Sequence, residues 1–234
     1  MKRREFLNCS SAVGAYGFTG YALLHAQAVQ AGALDLLSNQ DAIAGLRTAL
    51  ERGAGSAVGK LGILDGFWNN PKVKIPLPSA LQDAAKIGKA LGLGKKIDEL
   101  HLSMNRAAET AVPEAKALLV GAVKSMTVTD AKNIIKGGDT SVTQFFKTKT
   151  EQPLFGRFLP IVTRTTDKVG LARQYNDFIG KVPVKGAQKI ENYVTQKSLD
   201  GLFLMIGEEE RTIRQNPAGT GSKILEKVFG ALRT

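Results

Sequence analysis

The sequence predicts an all-α fold: a single multi-helix domain with at most one short extended or β segment near Val73–Leu77. Three observations carry this. Apolar residues recur at helical spacing in segment after segment. One stretch alone alternates at period two, and its prolines confine it to an edge or an arm. No fixed-period repeat or low-complexity linker divides the chain. A length of 234 residues, 43% of them hydrophobic and 23% charged, suits one globular domain preceded by a targeting segment. A mean hydropathy of −0.08, with no long apolar run beyond the first thirty residues, argues against a polytopic membrane protein.

Residues 1–28 have the order of a secretory signal. Lys2, Arg3 and Arg4 form a charged start, and a small, weakly apolar stretch runs from Ser10 to Leu24. Ala26-Gln27-Ala28 is the small-x-small triplet that signal peptidase accepts. Arg3-Arg4-Glu5-Phe6-Leu7 is similar to a twin-arginine signal. A core interrupted by Gly14, Gly17 and Gly20 favours that route over Sec and disfavours a buried helix. Cys9 precedes the apolar stretch, which argues against a lipoprotein. The expectation is a periplasmic chain starting at Val29, with one all-α domain over 29–234. Lys2, Arg3, Arg4 and Glu5 leave with the signal, so the net charge falls from +11 to +9, and Cys9 and His25 leave too. Without cysteine, the domain has no disulfide, thiol chemistry or Cys-ligated metal, and its stability rests on a core.

The first helical stripe, between Ala33 and Asp65, holds Leu36, Leu37, Ile43, Leu46, Ala49 and Leu50, then meets Gly53, Gly55, Gly59 and Gly62. These small residues predict close helix packing. A phosphate loop ending at Lys60 fails, because Ala54 stands where the pattern needs glycine and Leu61 where it needs Ser or Thr. Phe67-Trp68-Asn69-Asn70-Pro71 reads as a loop, and Val73-Lys74-Ile75-Pro76-Leu77-Pro78 as the extended arm. Ser79 with Gln82 predicts a capping box opening a helix to about Leu91. From Lys95 an amphipathic stripe runs through Ile97, Leu100, His101, Met104, Ala108 and Ala111 to Pro113. Another follows through Ala115, Leu119, Ala122 and Val123. Thr129 or Asp130 is expected to cap a short helix that stops at Gly137-Gly138. Asp139 starts a segment with Phe145 and Phe146, and Pro160 is expected to open a new helix broken at Val182-Pro183. A long helix spans about Gly186 to Gln215, and a last one carries Ile224 to Leu232 beyond Asn216-Pro217.

Candidate chemistry is sparse. His101 lies on the apolar stripe of its helix, which reads first as a satisfied boundary histidine. No G-x-S-x-G elbow accompanies it, and no His or Cys pair makes a metal site. Trp68 is an aromatic binding candidate in its loop. Glu208-Glu209-Glu210-Arg211, with Arg214, is the densest ionic cluster. Glu210 and Arg214 sit four apart and can pair along the helix. Asp200, Glu209 and Arg214 form a candidate carboxylate–guanidinium site. At about 100° per residue, however, Asp200 and Glu209 point to opposite sides and Glu209 stands well away from Arg214. Glu209 falls near Leu202 and Ile213 on the helical wheel, so it is expected to be the most buried of the three glutamates and to bond to a distant donor. Arg164, Lys168, Lys181, Lys185 and Lys189 form a candidate basic patch for anionic lipid or polyanion. The pI of 9.8 would suit nucleic acid, yet aromatics are not interleaved with the basic residues and an exported chain rarely meets it.

Several stretches, in order, carry a family resemblance: Val73-Lys74-Ile75-Pro76-Leu77-Pro78, Ala107-Ala108-Glu109 with Pro113, and Met126-Thr127-Val128-Thr129-Asp130-Ala131. Gly137-Gly138-Asp139-Thr140-Ser141 and Leu199-Asp200-Gly201-Leu202-Phe203 follow. Glu208-Glu209, Ile213-Arg214, Asn216-Pro217 and Val228-Phe229-Gly230 complete the series. From about Leu36 to Leu232 the chain resembles the bacterial exported proteins grouped as domain of unknown function 4197. The resemblance implies an envelope location and a mainly helical fold, and it implies no activity and no catalytic residue.

The expected function is a non-enzymatic periplasmic protein that binds a small hydrophobic, amphiphilic or anionic ligand, an anionic membrane surface, or an envelope partner. A hydrolase or lyase using Glu208, Glu209, Arg214 and His101 is the rival, and a structural envelope protein the third class. No cofactor motif for flavin, haem, nucleotide or cluster is visible, and no metal site is expected.

Overall fold

The computed structural model describes residues 39–79, 81, 82, 85, 92–181, 188–220 and 226. The expected export signal, most of the Ser79–Leu91 helix, the Val182-Pro183 break, Lys185 and the closing helix lie outside them. Seven α-helices are described: α1 (Asn39–Leu61), α2 (Gly94–Ala111), α3 (Ala115–Lys124), α4 (Val128–Lys136), α5 (Ser141–Thr166), α6 (Gly170–Lys181) and α7 (Ile190–Gln215). No strand occurs among the described residues. The fold is one all-α domain around a single continuous core.

Long helices with a buried stripe build that core. In α1, Leu46, Ala49, Leu50, Ala54, Ala57 and Leu61 are buried at helical spacing. Its small residues admit α7: a Cβ on Gly53 would stand only 3.5 Å from the Glu209 Cβ. α5 buries a ladder at every fourth residue, Val142, Phe146, Thr150, Leu154, Phe158, Val162 and Thr166. Such rows form the ridges by which helices interlock. Its buried threonines satisfy their hydroxyls on the preceding turn, Thr150 on the Phe146 carbonyl at 2.7 Å and Thr166 on that of Val162 at 3.0 Å. α7 buries Ile190, Val194, Leu199, Leu202, Phe203 and Ile206. It packs chiefly against α5 and α1, while α2 lies across α5.

The structure corrects two expectations about helix ends. Pro160 does not open a helix: α5 runs through both Pro153 and Pro160. Both prolines are exposed, and the carbonyls they leave unpaired belong to the exposed Lys149 and Gly156, where water can serve them. The break falls instead at the Asp167–Val169 turn. The cap of α4 is Thr127, two residues before the expected start. Its hydroxyl accepts the Asp130 N–H at 3.1 Å, and the Asp130 carboxylate accepts the Thr127 N–H at 3.0 Å. Val73 and Lys74 close a turn on the Asn70 carbonyl, and residues 74–78 then run outside any helix or strand, in keeping with the expected arm. Asn105 of α2 holds this arm. It accepts the Ile75 N–H at 2.8 Å and donates to the Ile75 carbonyl at 3.1 Å.

Candidate functional site

The three consecutive glutamates of α7 point to three different elements. Glu210 is the buried one, with a side chain 2% exposed against 16% for Glu209 and 28% for Glu208. The expectation that Glu209 is the most deeply buried is therefore corrected. The inward stripe of α7 continues Leu199, Phe203, Ile206 into Glu210, while Glu209 lies at the rim of the contact with α1, its Cβ beside Gly53. It does bond to a distant donor, Lys60. Glu208 pairs with Lys72 at 2.7 Å.

Glu210 caps α5 from outside that helix. Its carboxylate accepts the N–H groups of Val142 at 3.1 Å and Thr143 at 3.2 Å, two donors that a helix start leaves without partners. Arg214 holds the same carboxylate with Nε at 3.0 Å, then donates to the Ile134 carbonyl near the end of α4 at 3.0 Å and to Ser141 Oγ at 2.7 Å. The pair thus sets a negative group at the start of α5 and a positive one at the end of α4, each matched to the helix dipole it meets. Gly137 makes the turn between them fit, because a Cβ there would come within 2.5 Å of the Ser141 Cβ.

Beside this clasp lies a small, partly open cleft with about 20 Å³ of enclosed space. α1 contributes Ala49, Leu50, Gly53 and Ala54, α5 contributes Val142, and α7 contributes Ile206 and Ile213, with Glu210 and Arg214 as its polar wall. Its lining is aliphatic apart from that one charged pair.

A second clasp organises the loop between α1 and the extended arm. Glu109, buried in α2, accepts the N–H groups of Phe67 and Trp68, each at 3.0 Å. Arg106 bridges Glu109 and Asp65, at 2.7 Å to each. The hydrogen bond to Glu109 is the main cause that raises the Arg106 pKa above its ordinary value. Asp65 has φ 68°, a left-handed conformation that this ion pair helps to hold. His101, one turn before Asn105, bonds through Nε2 to the Ile75 carbonyl at 2.9 Å and meets Trp68 edge-on, ring centres 5.0 Å apart. Lys74 lies over the Trp68 ring at 3.5 Å.

The candidates from the sequence therefore divide into separate places. His101 and Trp68 come together, as parts of the loop clasp. Arg214 joins Glu210 rather than Glu209. Asp200 sits on a solvated face with Lys197 at 3.1 Å and Gln196 at 3.2 Å. Arg164, Lys168 and Lys189 are exposed, and Lys181 ends α6. The sequence reading passed over Asn105, Arg106 and Glu109. Their signal is a polar group every fourth position, His101, Asn105 and Glu109, running along the apolar stripe of α2. Among the described residues, no cluster of His, Asp and Glu is placed to hold a metal ion, and no helix is long and apolar enough to cross a membrane.

No curated protein and no solved structure matches the chain. A family model described as "Protein of unknown function (DUF4197)" matches residues 36–230. That span contains both clasps and the cleft between α1, α5 and α7, and with it the chain belongs to the DUF4197 family.

Proposed function

We propose that this protein is an exported, non-enzymatic binding protein whose cleft between α1, α5 and α7 receives the apolar part of a small amphiphile. The observation that carries this reading is the cleft itself, aliphatic on α1 and α7 and bounded by Glu210 and Arg214. Only about 20 Å³ of it is enclosed, so it receives at most the end of a short acyl or alkyl group, with neighbouring side chains giving way, and not a full phospholipid. The residues of the rival hydrolase reading are dispersed: Glu208 pairs with Lys72, Glu209 with Lys60 and Arg214 with Glu210, while His101 lies beside Trp68. Export is supported by the charged start, the weakly apolar core and the Ala26-Gln27-Ala28 triplet.

One experiment reads both parts. Native mass spectrometry of protein recovered from the periplasmic fraction is expected to give a chain starting at Val29 with a small non-covalent mass bound. Gly53→Ala is the matched variant. Its Cβ would meet the Glu209 Cβ at 3.5 Å and the Ile213 Cδ1 at 3.9 Å, ordinary contact, so the methyl takes up cleft space without moving α7, and removing a mid-helix glycine favours the helix by about 1 kcal/mol. The variant should keep or raise its melting temperature and lose the bound mass. A bare chain in both proteins would sink the cleft reading, and a chain retaining residues 1–28 would sink the export reading.

A further inference from the structure

Among the described residues, four large aliphatic side chains stand singly in solvent at 36–49% exposure: Leu93, Leu102, Val128 and Leu204. Scattered exposed residues of this kind are ordinary. Two others are neighbours, and they are the most exposed of all: Ile63 at 59% and Leu64 at 73%, in the turn that follows α1.

The turn is built to hold them outward. Asp65 closes it at φ 68°, the one non-glycine residue with a positive φ among the described residues. Its carboxylate accepts from Arg106 of α2 at 2.7 Å, and the buried Glu109 holds the same arginine. The Gly66 N–H donates back to the Ile63 carbonyl at 3.1 Å. Two glycines let the chain pass. A Cβ on Gly62 would come within 2.9 Å of the Pro113 Cγ, and one on Gly66 within 2.5 Å of the Leu61 carbonyl oxygen. Phe67 and Trp68, which follow, are bonded to Glu109. Thus α1 fixes one side of the tip and α2 the other, and binding through Ile63 and Leu64 has no loop to order.

The size and surroundings of the tip select its partner. A stable protein interface takes about 800 Å² from each side, with a broad apolar core inside a polar rim. Here the apolar ground is two side chains and the exposed Pro113. Lys60 stands one turn before the pair and Asp65 directly after it, with the exposed Glu114 and Lys116 beyond Pro113. Two aliphatic groups projecting from a polar surround make a wedge and not a face. A bilayer accepts a wedge, because the apolar ends reach the acyl boundary while the charged flank stays among the headgroups. Both flanking charges are already matched within the chain, Lys60 by Glu209 and Asp65 by Arg106, so apolar burial supplies the attraction.

We infer that the Ile63–Leu64 turn inserts into the interfacial layer of a phospholipid bilayer. The two side chains carry fewer carbons than a myristoyl chain, which itself binds only reversibly, so the seating is weak and reversible. It is independent of the cleft, and either can fail alone.

Vesicle flotation tests it with a chain beginning at Val29. That chain holds every described residue and the whole family match, and it lacks the weakly apolar stretch from Ser10 to Leu24. The probe is phosphatidylcholine vesicles in about 0.5 M salt, where net charge contributes little. Wild-type protein should float with them. Ile63→Ser/Leu64→Ser should bind at least about tenfold more weakly. Val128→Ser/Leu204→Ser removes two aliphatic groups from other exposed sites and should stay within about twofold of wild type. All four positions face water, so both variants should keep the wild-type melting temperature. Wild-type protein that does not float would overturn the proposal, as would equal losses in the two variants. So would a wild-type dimer in sedimentation equilibrium that Ile63→Ser/Leu64→Ser makes monomeric, since a second copy would then cover the tip.

Discussion

Glu209 and Glu210 are adjacent and chemically identical, yet their surroundings assign them opposite weights. Removing the Glu210 carboxylate strands two backbone donors at the start of α5 and leaves Arg214, only 12% exposed in its side chain, without its carboxylate. Breaking a buried pair in this way costs about 3–5 kcal/mol. Glu209 and Glu208 pair with lysines that are more than half exposed, and such pairs contribute at most about 1 kcal/mol each. Denaturant unfolding of Glu210→Ala, Glu209→Ala and Glu208→Ala should therefore show one large loss and two small ones. Similar losses in all three would mean that Glu210 is no clasp. The sequence showed that one of these glutamates must lie against apolar surface, and it showed that Glu210 and Arg214 can pair. It could not choose between Glu209 and Glu210, because α7 is buried over a wide arc and the helical wheel has no sharp centre. The partner that decides, the start of α5, lies nearly seventy residues away. Glu109 was hidden for the same reason: its ligands are backbone N–H groups of Phe67 and Trp68, which have no signature in sequence.

Helix existence was far more legible than helix limits. The stripes of α1, α2, α3 and α7 could be read from apolar spacing, because burial of one face is a local pattern. Ends depend on single residues with competing readings. Pro160 is a plausible start, and it is tolerated mid-helix only because the packing ladder of α5 holds both sides of it while the proline faces water. Thr127, Thr129 and Asp130 all suit a cap, and the geometry selects Thr127 with Asp130 as its reciprocal partner. That box makes a pH-dependent contribution. The Asp130 carboxyl is held below its ordinary pKa of 3.8, first by the Thr127 N–H, then by the Thr127 hydroxyl, with Lys149 adding a weaker pull. A carboxyl with a lowered folded pKa stabilises the fold above its ordinary value, and the contribution is lost as pH falls through the folded value. Asp130→Asn should thus cost about 1 kcal/mol at neutral pH, the typical value of a cap. The gap to wild type should close in acid, as the wild-type carboxyl takes up its proton. Urea titrations of both proteins across that range measure the gap, and a gap constant with pH would refute the role given to the charge.

At the scale of the whole molecule, the segment between α1 and α2 lies outside helix and strand over residues 70–78, with one turn on the Asn70 carbonyl, yet it is tied to both sides of the domain. α2 holds its backbone at Phe67, Trp68 and Ile75 through Glu109 and Asn105. α7 receives its side chains: a Cβ on Gly201 would lie 2.8 Å from the Phe67 ring and 3.2 Å from the Val73 Cβ, so the strap can sit down only on a glycine. Tyr193 donates to the Pro76 carbonyl at 3.1 Å, and Lys72 reaches Glu208. The strap therefore joins a helix from the first half of the chain to one from the second, and its order depends on both being in place. Trp68, the one tryptophan of the sequence, stands within it and reports on it. In urea, the Trp68 fluorescence transition should coincide with loss of helical circular dichroism, as expected when strap and helices form one cooperative unit. Glu109→Ala removes the acceptor for the buried Phe67 N–H and the half-buried Trp68 N–H, a loss on the order of 1–3 kcal/mol for a buried donor left unpaired. Its fluorescence transition should then move to lower urea than its helical one. If wild-type fluorescence already changes well before the helices melt, the strap is only draped on the domain. Coincident transitions in the variant would leave Glu109 as an ordinary contributor to global stability and not the tie that couples the strap to α2.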